Sequence, residues 1–191
     1  MLGQLLVDSL LRPRRAAGRI LSLPLSAQSL LEAAVLVSCT GTLVIHLAAQ
    51  RIPELQQGEF ASLTESPLMA TFLNVVQIAI MAVAATWVGR RFGGTGEFHG
   101  AFALVVWYNL VSILLVAALF GAYLLAAPIA LALGIAFCVW LIWAPVSFLA
   151  ELHGFRNALV VLAGLLLTLL ALFFALNVVA MLIAAAFQEV G

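Results

Sequence analysis

Five uninterrupted apolar stretches, none with a charge at its centre, dominate this chain and leave few architectures open to it. They run over about 29–48, 67–88, 101–125, 128–150 and 158–187. Each reaches the roughly 20 residues that an α-helix needs to cross a hydrocarbon core of about 30 Å. The fifth, about 30 residues long, must tilt or project from the bilayer. The stretches are continuous and not alternating, which excludes transmembrane β-strands. The expected fold is therefore all-α: a polytopic helical membrane protein of about five transmembrane helices. Residues 29–191 form its single membrane domain and residues 1–28 a cytoplasmic or interfacial N-terminal segment.

Composition supports lipid as the solvent. Of 191 residues, 65% are hydrophobic and 8% charged, where a soluble domain carries roughly 25%. Mean hydropathy is +1.22. Eight basic and eight acidic residues balance, so no net charge draws the chain to nucleic acid. Every basic residue is Arg; with the abundant Ala, Leu and Gly, this points to a GC-rich, bacterial genome. Cys39 and Cys138 both sit in apolar runs, as small packing groups do.

The N-terminal segment is amphipathic. Leu2, Leu5, Leu6 and Leu10 fit one helical face, and Pro13 can open a second helix. Arg12, Arg14, Arg15 and Arg19 follow the first apolar stretch, the reverse of a signal peptide. Such a segment suits the membrane interface. There each Arg gains about 1 kcal/mol from anionic head groups. With the N-terminus in the cytoplasm, the inner segments hold Arg12, Arg14, Arg15, Arg19, Arg90, Arg91 and Arg156, and the outer ones only Arg51. The positive-inside rule then places the C-terminus outside. A bacterial inner membrane is the expected location.

Two inner loops echo each other. Glu97-Phe98-His99-Gly100 precedes Ala103-Leu104-Val105-Val106, and Glu151-Leu152-His153-Gly154 precedes Ala158-Leu159-Val160-Val161. The echo suggests two like-oriented hairpins, a parallel repeat. In each, Glu would meet the positive end of a helix dipole, Gly would permit a turn, and His would bond a loop carbonyl or the facing copy. Alternatively, Glu97, His99, Glu151 and His153 converge to bind a head group, a proton or a divalent ion. Gly93-Gly94-Thr95-Gly96 lacks the Lys and Ser/Thr of a phosphate loop and follows a membrane helix, so it reads as a flexible turn.

The spans themselves hold few polar groups, among them Asn74, Gln77, Asn109 and Asn177. A pump would need intramembrane carboxylates. Pro145 should kink the fourth span. Gly121, Gly134 and Gly164 would allow close helix packing within or between chains. No catalytic motif is present: neither His-Glu-x-x-His, nor Gly-x-Ser-x-Gly, nor paired carboxylates in one loop. No enzymatic activity, cofactor or metal is expected.

The run Gly89-Arg90-Arg91-Phe92-Gly93-Gly94-Thr95-Gly96, with Phe98 opening an apolar helix, resembles the signature of the Yip family of five-span membrane proteins, named for binding Ypt/Rab GTPases. The aromatic fourth span (Trp140, Trp143) ending in Glu151-Leu152-His153-Gly154 also resembles it, as does the short segment near Pro24 before the first span. The likeness covers roughly 10–187. It implies the five-span fold. Eukaryotic members are associated with vesicle traffic through a cytoplasmic N-terminal region longer than the 1–28 segment here, and a bacterial-type member carries no Rab role.

The function expected is that of a membrane-organising or adaptor protein. Its working face would be built from the basic segment and the loops bearing Arg90, Arg91, Gly93, Gly94, Glu97, His99, Glu151 and His153. Its partners would be membrane lipids and a protein or a second copy of itself. The alternative is a small transporter or lipid-handling protein with a path near Asn74, Gln77, Asn109 and Asn177. A third reading, an enzyme acting on lipid head groups, rests on His99 and His153 alone.

Overall fold

A computed structural model of the protein describes residues 2–52, 66–168 and 170. The regular structure of the described residues is all helix, without strands. Two short helices, α1 (Leu2–Leu11) and α2 (Pro13–Leu21), precede four long ones: α3 (Ala27–Ala49), α4 (Pro67–Arg91), α5 (Phe98–Leu125) and α6 (Ala127–His153). A further apolar helix, α7, covers Ala158–Thr168. Helices α3 to α6 are each long and apolar enough to cross a membrane. The remainder of the fifth apolar stretch, with Asn177, and the acidic segment of Glu54, Glu59 and Glu65 lie outside the described residues.

Local chemistry sets the helix boundaries. Ser26 caps α3 by accepting the Ser29 N–H at 3.0 Å. Pro13 and Pro67 open α2 and α4 at positions that need no N–H, although Ser66 makes no side-chain cap bond to α4. A single extended residue, Ala126 (φ −163°, ψ 125°), separates α5 from α6. The pair is thus two spans meeting at a tight turn.

The two glycine ends are alike. The Gly94 N–H donates to Gly89 O at 2.9 Å and the Phe155 N–H to Ala150 O at 2.8 Å, with Gly93 (φ 84°) and Gly154 (φ 70°) in the left-handed conformation. Both α4 and α6 therefore end in a Schellman motif.

Packing centres on α5, which contacts α3, α4 and α6. Ala34, Val37, Ile78 and Val106 fill the α3–α4–α5 interface. Close approach occurs at Gly41, where a Cβ would lie 2.9 Å from Ile113 Cδ1. Of the glycines expected to pack helices, Gly164 meets Phe92 and Gly134 meets Leu119, whereas Gly121 has no neighbour within 4 Å. Many large apolar side chains, such as Leu68, Phe72, Leu131 and Val139, stay exposed on the outer faces. Cys39 and Cys138 are free thiols on those faces. An outer surface of this kind belongs against lipid.

The amphipathic N-terminal segment is bound to this bundle. Ala16, Ala17 and Ile20 of α2 are buried with Ala101, Leu104, Phe148 and Leu152. Helix α1 lies alongside α5 and α6, packed through Leu5, Leu6 and Leu10 and hydrogen-bonded at Ser9. Ser9 Oγ accepts the Trp107 indole N–H at 2.8 Å while donating to Leu5 O at 2.7 Å. Ser9 O accepts the Trp140 N–H at 3.0 Å. Asp8 and Arg19 pair across the α1–α2 corner.

Pro145 lies inside α6 and cannot donate to Leu141 O. Tyr108 of α5 supplies a replacement, its hydroxyl directed at that carbonyl at 3.4 Å.

Candidate functional site

The distinctive geometry is at the bundle end shared by the α4–α5 loop, the end of α6 and α2. His153, the last residue of α6, is 3% exposed. Its Nδ1 accepts the Gly96 N–H at 3.0 Å, and its Nε2 lies 3.0 Å from Ala85 O. An N–H donor on one side and a carbonyl on the other select the neutral imidazole with its proton on Nε2.

The glycines around the ring explain its depth. A Cβ on Gly89 or Gly94 would collide with the imidazole, and one on Gly96 would lie 2.6 Å from Cε1. Three glycines thus form a cradle that no other residue could provide. Gly93 has open space around it and serves the turn. The loop expected to be a flexible turn is instead a fitted seat. Arg90 reinforces it, its Nε donating to Gly96 O at 3.0 Å, and Arg91 stacks on Trp87 with the guanidinium carbon 5.1 Å from the ring centroid.

The two loop copies occupy different places. Glu97 and His99 stand at the start of α5, and Glu151 and His153 at the end of α6. Glu97 is the exposed N-cap residue of α5 and makes no side-chain cap bond. His99 is exposed, one ring nitrogen 3.0 Å from Leu25 O. Glu151 instead meets Arg14: Nε donates to Oε2 at 2.8 Å, and the same guanidinium donates to Phe155 O at 2.9 Å. The helix-start role argued for both acids applies to Glu97 by position and not to Glu151. No group of three His, Cys, Asp or Glu suited to a metal ion occurs among the described residues.

Of the basic segment, Arg14 and Arg19 are engaged in pairs. Arg12 and Arg15 are exposed and have no ion-pair partner among the described residues. They border an open groove of about 580 Å³ lined also by Leu11, Pro13, Arg14, Trp143, Ser147 and Glu151. Sequence reasoning named Gly89 only within the Gly89–Gly96 run, counted Ser147 only among the polar groups of the spans, and did not single out Ser9. The four-residue spacing of Trp143, Ser147 and Glu151 along one helical face was the available signal for the groove.

Searches among curated proteins and solved structures found no match. The family model for the Yip1 domain, however, matches residues 7–179. That range runs from the second half of α1 through α6 and takes in the cradle loop of Gly89 to Gly96 and its guest His153, and with nearly the whole chain inside the match, this protein belongs to the Yip1 domain family.

Proposed function

We propose that the protein is a non-enzymatic membrane-organising or adaptor component whose working face is this loop-bearing end, turned to the cytoplasm from a bacterial inner membrane. The observation that carries the reading is the seating of His153 among Gly89, Gly94 and Gly96. It joins the α4–α5 loop rigidly to the end of α6, while Arg14 and Glu151 join α2 to the same place. Three distant stretches of chain then present one preformed surface. On it Arg91, Phe92, Glu97, Phe98 and His99 remain exposed. A preformed surface docks a partner without an ordering cost. The filled α3–α4–α5 interface favours this role over a transport path. Asn109 also turns back to Val105 O of its own helix at 2.9 Å.

The test is cross-linking in native membranes followed by mass spectrometry. The wild type is compared with Arg91→Glu/Glu97→Lys and with the lipid-side control Leu131→Ala. A partner, or a second copy of the chain, lost in the double variant and kept in the control supports the reading. Identical capture by all three removes this surface from it. Orientation is checked with Ser22→Cys in a Cys39→Ala/Cys138→Ala background, which an impermeant maleimide should label only from the cytoplasmic side.

A further inference from the structure

We infer that the groove between the start of α2 and the Trp143–Ser147–Glu151 stripe of α6 binds the head-group phosphate of an anionic phospholipid. Three arginines, Arg12, Arg14 and Arg15, line it with a single acid, Glu151. Arg14 already neutralises Glu151. Arg12 and Arg15 have no counter-ion among the described residues. The groove also lies at the N-terminus of α2, whose dipole favours an anion, while its Arg15 and Ala16 N–H groups bond to Arg12 O and Pro13 has none to offer.

A second feature points to the same ligand. Ser147 is 7% exposed as a residue and lines the groove, and its hydroxyl opens on the groove and bonds to no described residue. A hydroxyl in a membrane helix ordinarily finds a partner, often its own backbone. A phosphate or glycerol oxygen would satisfy this one.

The shape of the groove selects a lipid over a free ion. Glu151, Ser147 and Trp143 descend α6 at four-residue steps, so the stripe runs about 12 Å along the helix axis at 1.5 Å per residue. It passes from charged to polar to aromatic. Leu11, 68% exposed, and Trp143, 44% exposed, supply its apolar lining. A phospholipid presents the same order from phosphate through glycerol to acyl chain. The substitutions that test it, at Arg12 and Arg15, leave Arg91 and Glu97 of the proposed protein-docking surface untouched, so lipid binding and partner capture can fail separately.

The test is native mass spectrometry of the full chain in detergent micelles, titrated with dioleoyl phosphatidylglycerol and with dioleoyl phosphatidylcholine. One phosphatidylglycerol should be retained in preference to phosphatidylcholine. Arg12→Gln/Arg15→Gln should weaken its binding about 30-fold, two cations at about 1 kcal/mol each. Equal retention of the two lipids, or phosphatidylglycerol binding unchanged in the variant, overturns the inference. So does displacement by millimolar inorganic phosphate, which would make the site one for the free ion. A phosphatidylglycerol carrying a photoreactive group near its head group provides a test on the unaltered protein. Cross-links in the peptides of Leu11–Arg15 or Trp143–Glu151 support the site, and cross-links confined elsewhere refute it.

Discussion

The imidazole of His153 occupies the space that a side chain on Gly89 would need. The two residues belong to different helices, and their contact closes the α4–α5 loop over the end of α6. Adding a methyl group at Gly89 forces the ring out of its seat and breaks its bonds to Gly96 and Ala85. Gly89→Ala should cost about 3 kcal/mol, combining overpacking with a buried N–H left unpaired. Gly121→Ala, with no neighbour within 4 Å, should leave stability unchanged or raise it by up to about 1 kcal/mol. Thermal melting of both variants in the same detergent checks the contrast; equal melting points would rule out the cradle.

The ring itself can be probed by what replaces it. His153→Ala leaves the Gly96 N–H without its acceptor and should cost about 2–3 kcal/mol. His153→Gln keeps both a carbonyl acceptor and an amide donor and should recover part of that loss. His153→Phe restores volume without an acceptor. Gln more stable than Phe would show that the bond matters more than the filling; the reverse order would show that packing alone holds the loop.

Tyr108 and Pro145 should be coupled through Leu141 O. In the native chain, Tyr108→Phe removes the hydroxyl directed at that carbonyl, at about 0.5–1 kcal/mol. In a Pro145→Ala background the residue at 145 donates to Leu141 O itself, and the same change should cost close to nothing. A double-mutant cycle reads the difference. Purely additive effects would mean that the 3.4 Å approach contributes no stabilisation.

Ser9 should anchor α1. Ser9→Ala leaves the Trp107 indole N–H without its acceptor and should cost about 1–3 kcal/mol, with α1 becoming accessible to protease in detergent. Ser22→Ala, which loses only an exposed hydroxyl bond to Arg19 O, is the control and should change stability by less than about 0.5 kcal/mol. If Ser9→Ala melts and digests like the control, packing of Leu5, Leu6 and Leu10 holds α1 without the hydroxyl.

Hydropathy alone determined that the described chain is a set of apolar helices, because a backbone in lipid must bond to itself and apolar runs of this length can do so only as helices. Pro13, Pro67 and Pro128 marked helix starts for equally local reasons. The Gly89–Gly96 run carried the family resemblance. What those glycines are for was beyond sequence. Gly93 is needed for its own backbone, whereas Gly89, Gly94 and Gly96 are needed because a ring 57 or more residues away comes to rest on them. The repeat of Glu-x-His-Gly misled for the same reason, since identical residues fell at the start of one helix and the end of another. Ser9, polar on an apolar face, likewise acquired its role only when Trp107 and Trp140 arrived beside it. Local patterns follow from neighbours within a helical turn, and the tertiary structure alone decides which distant side chain fills the space they leave.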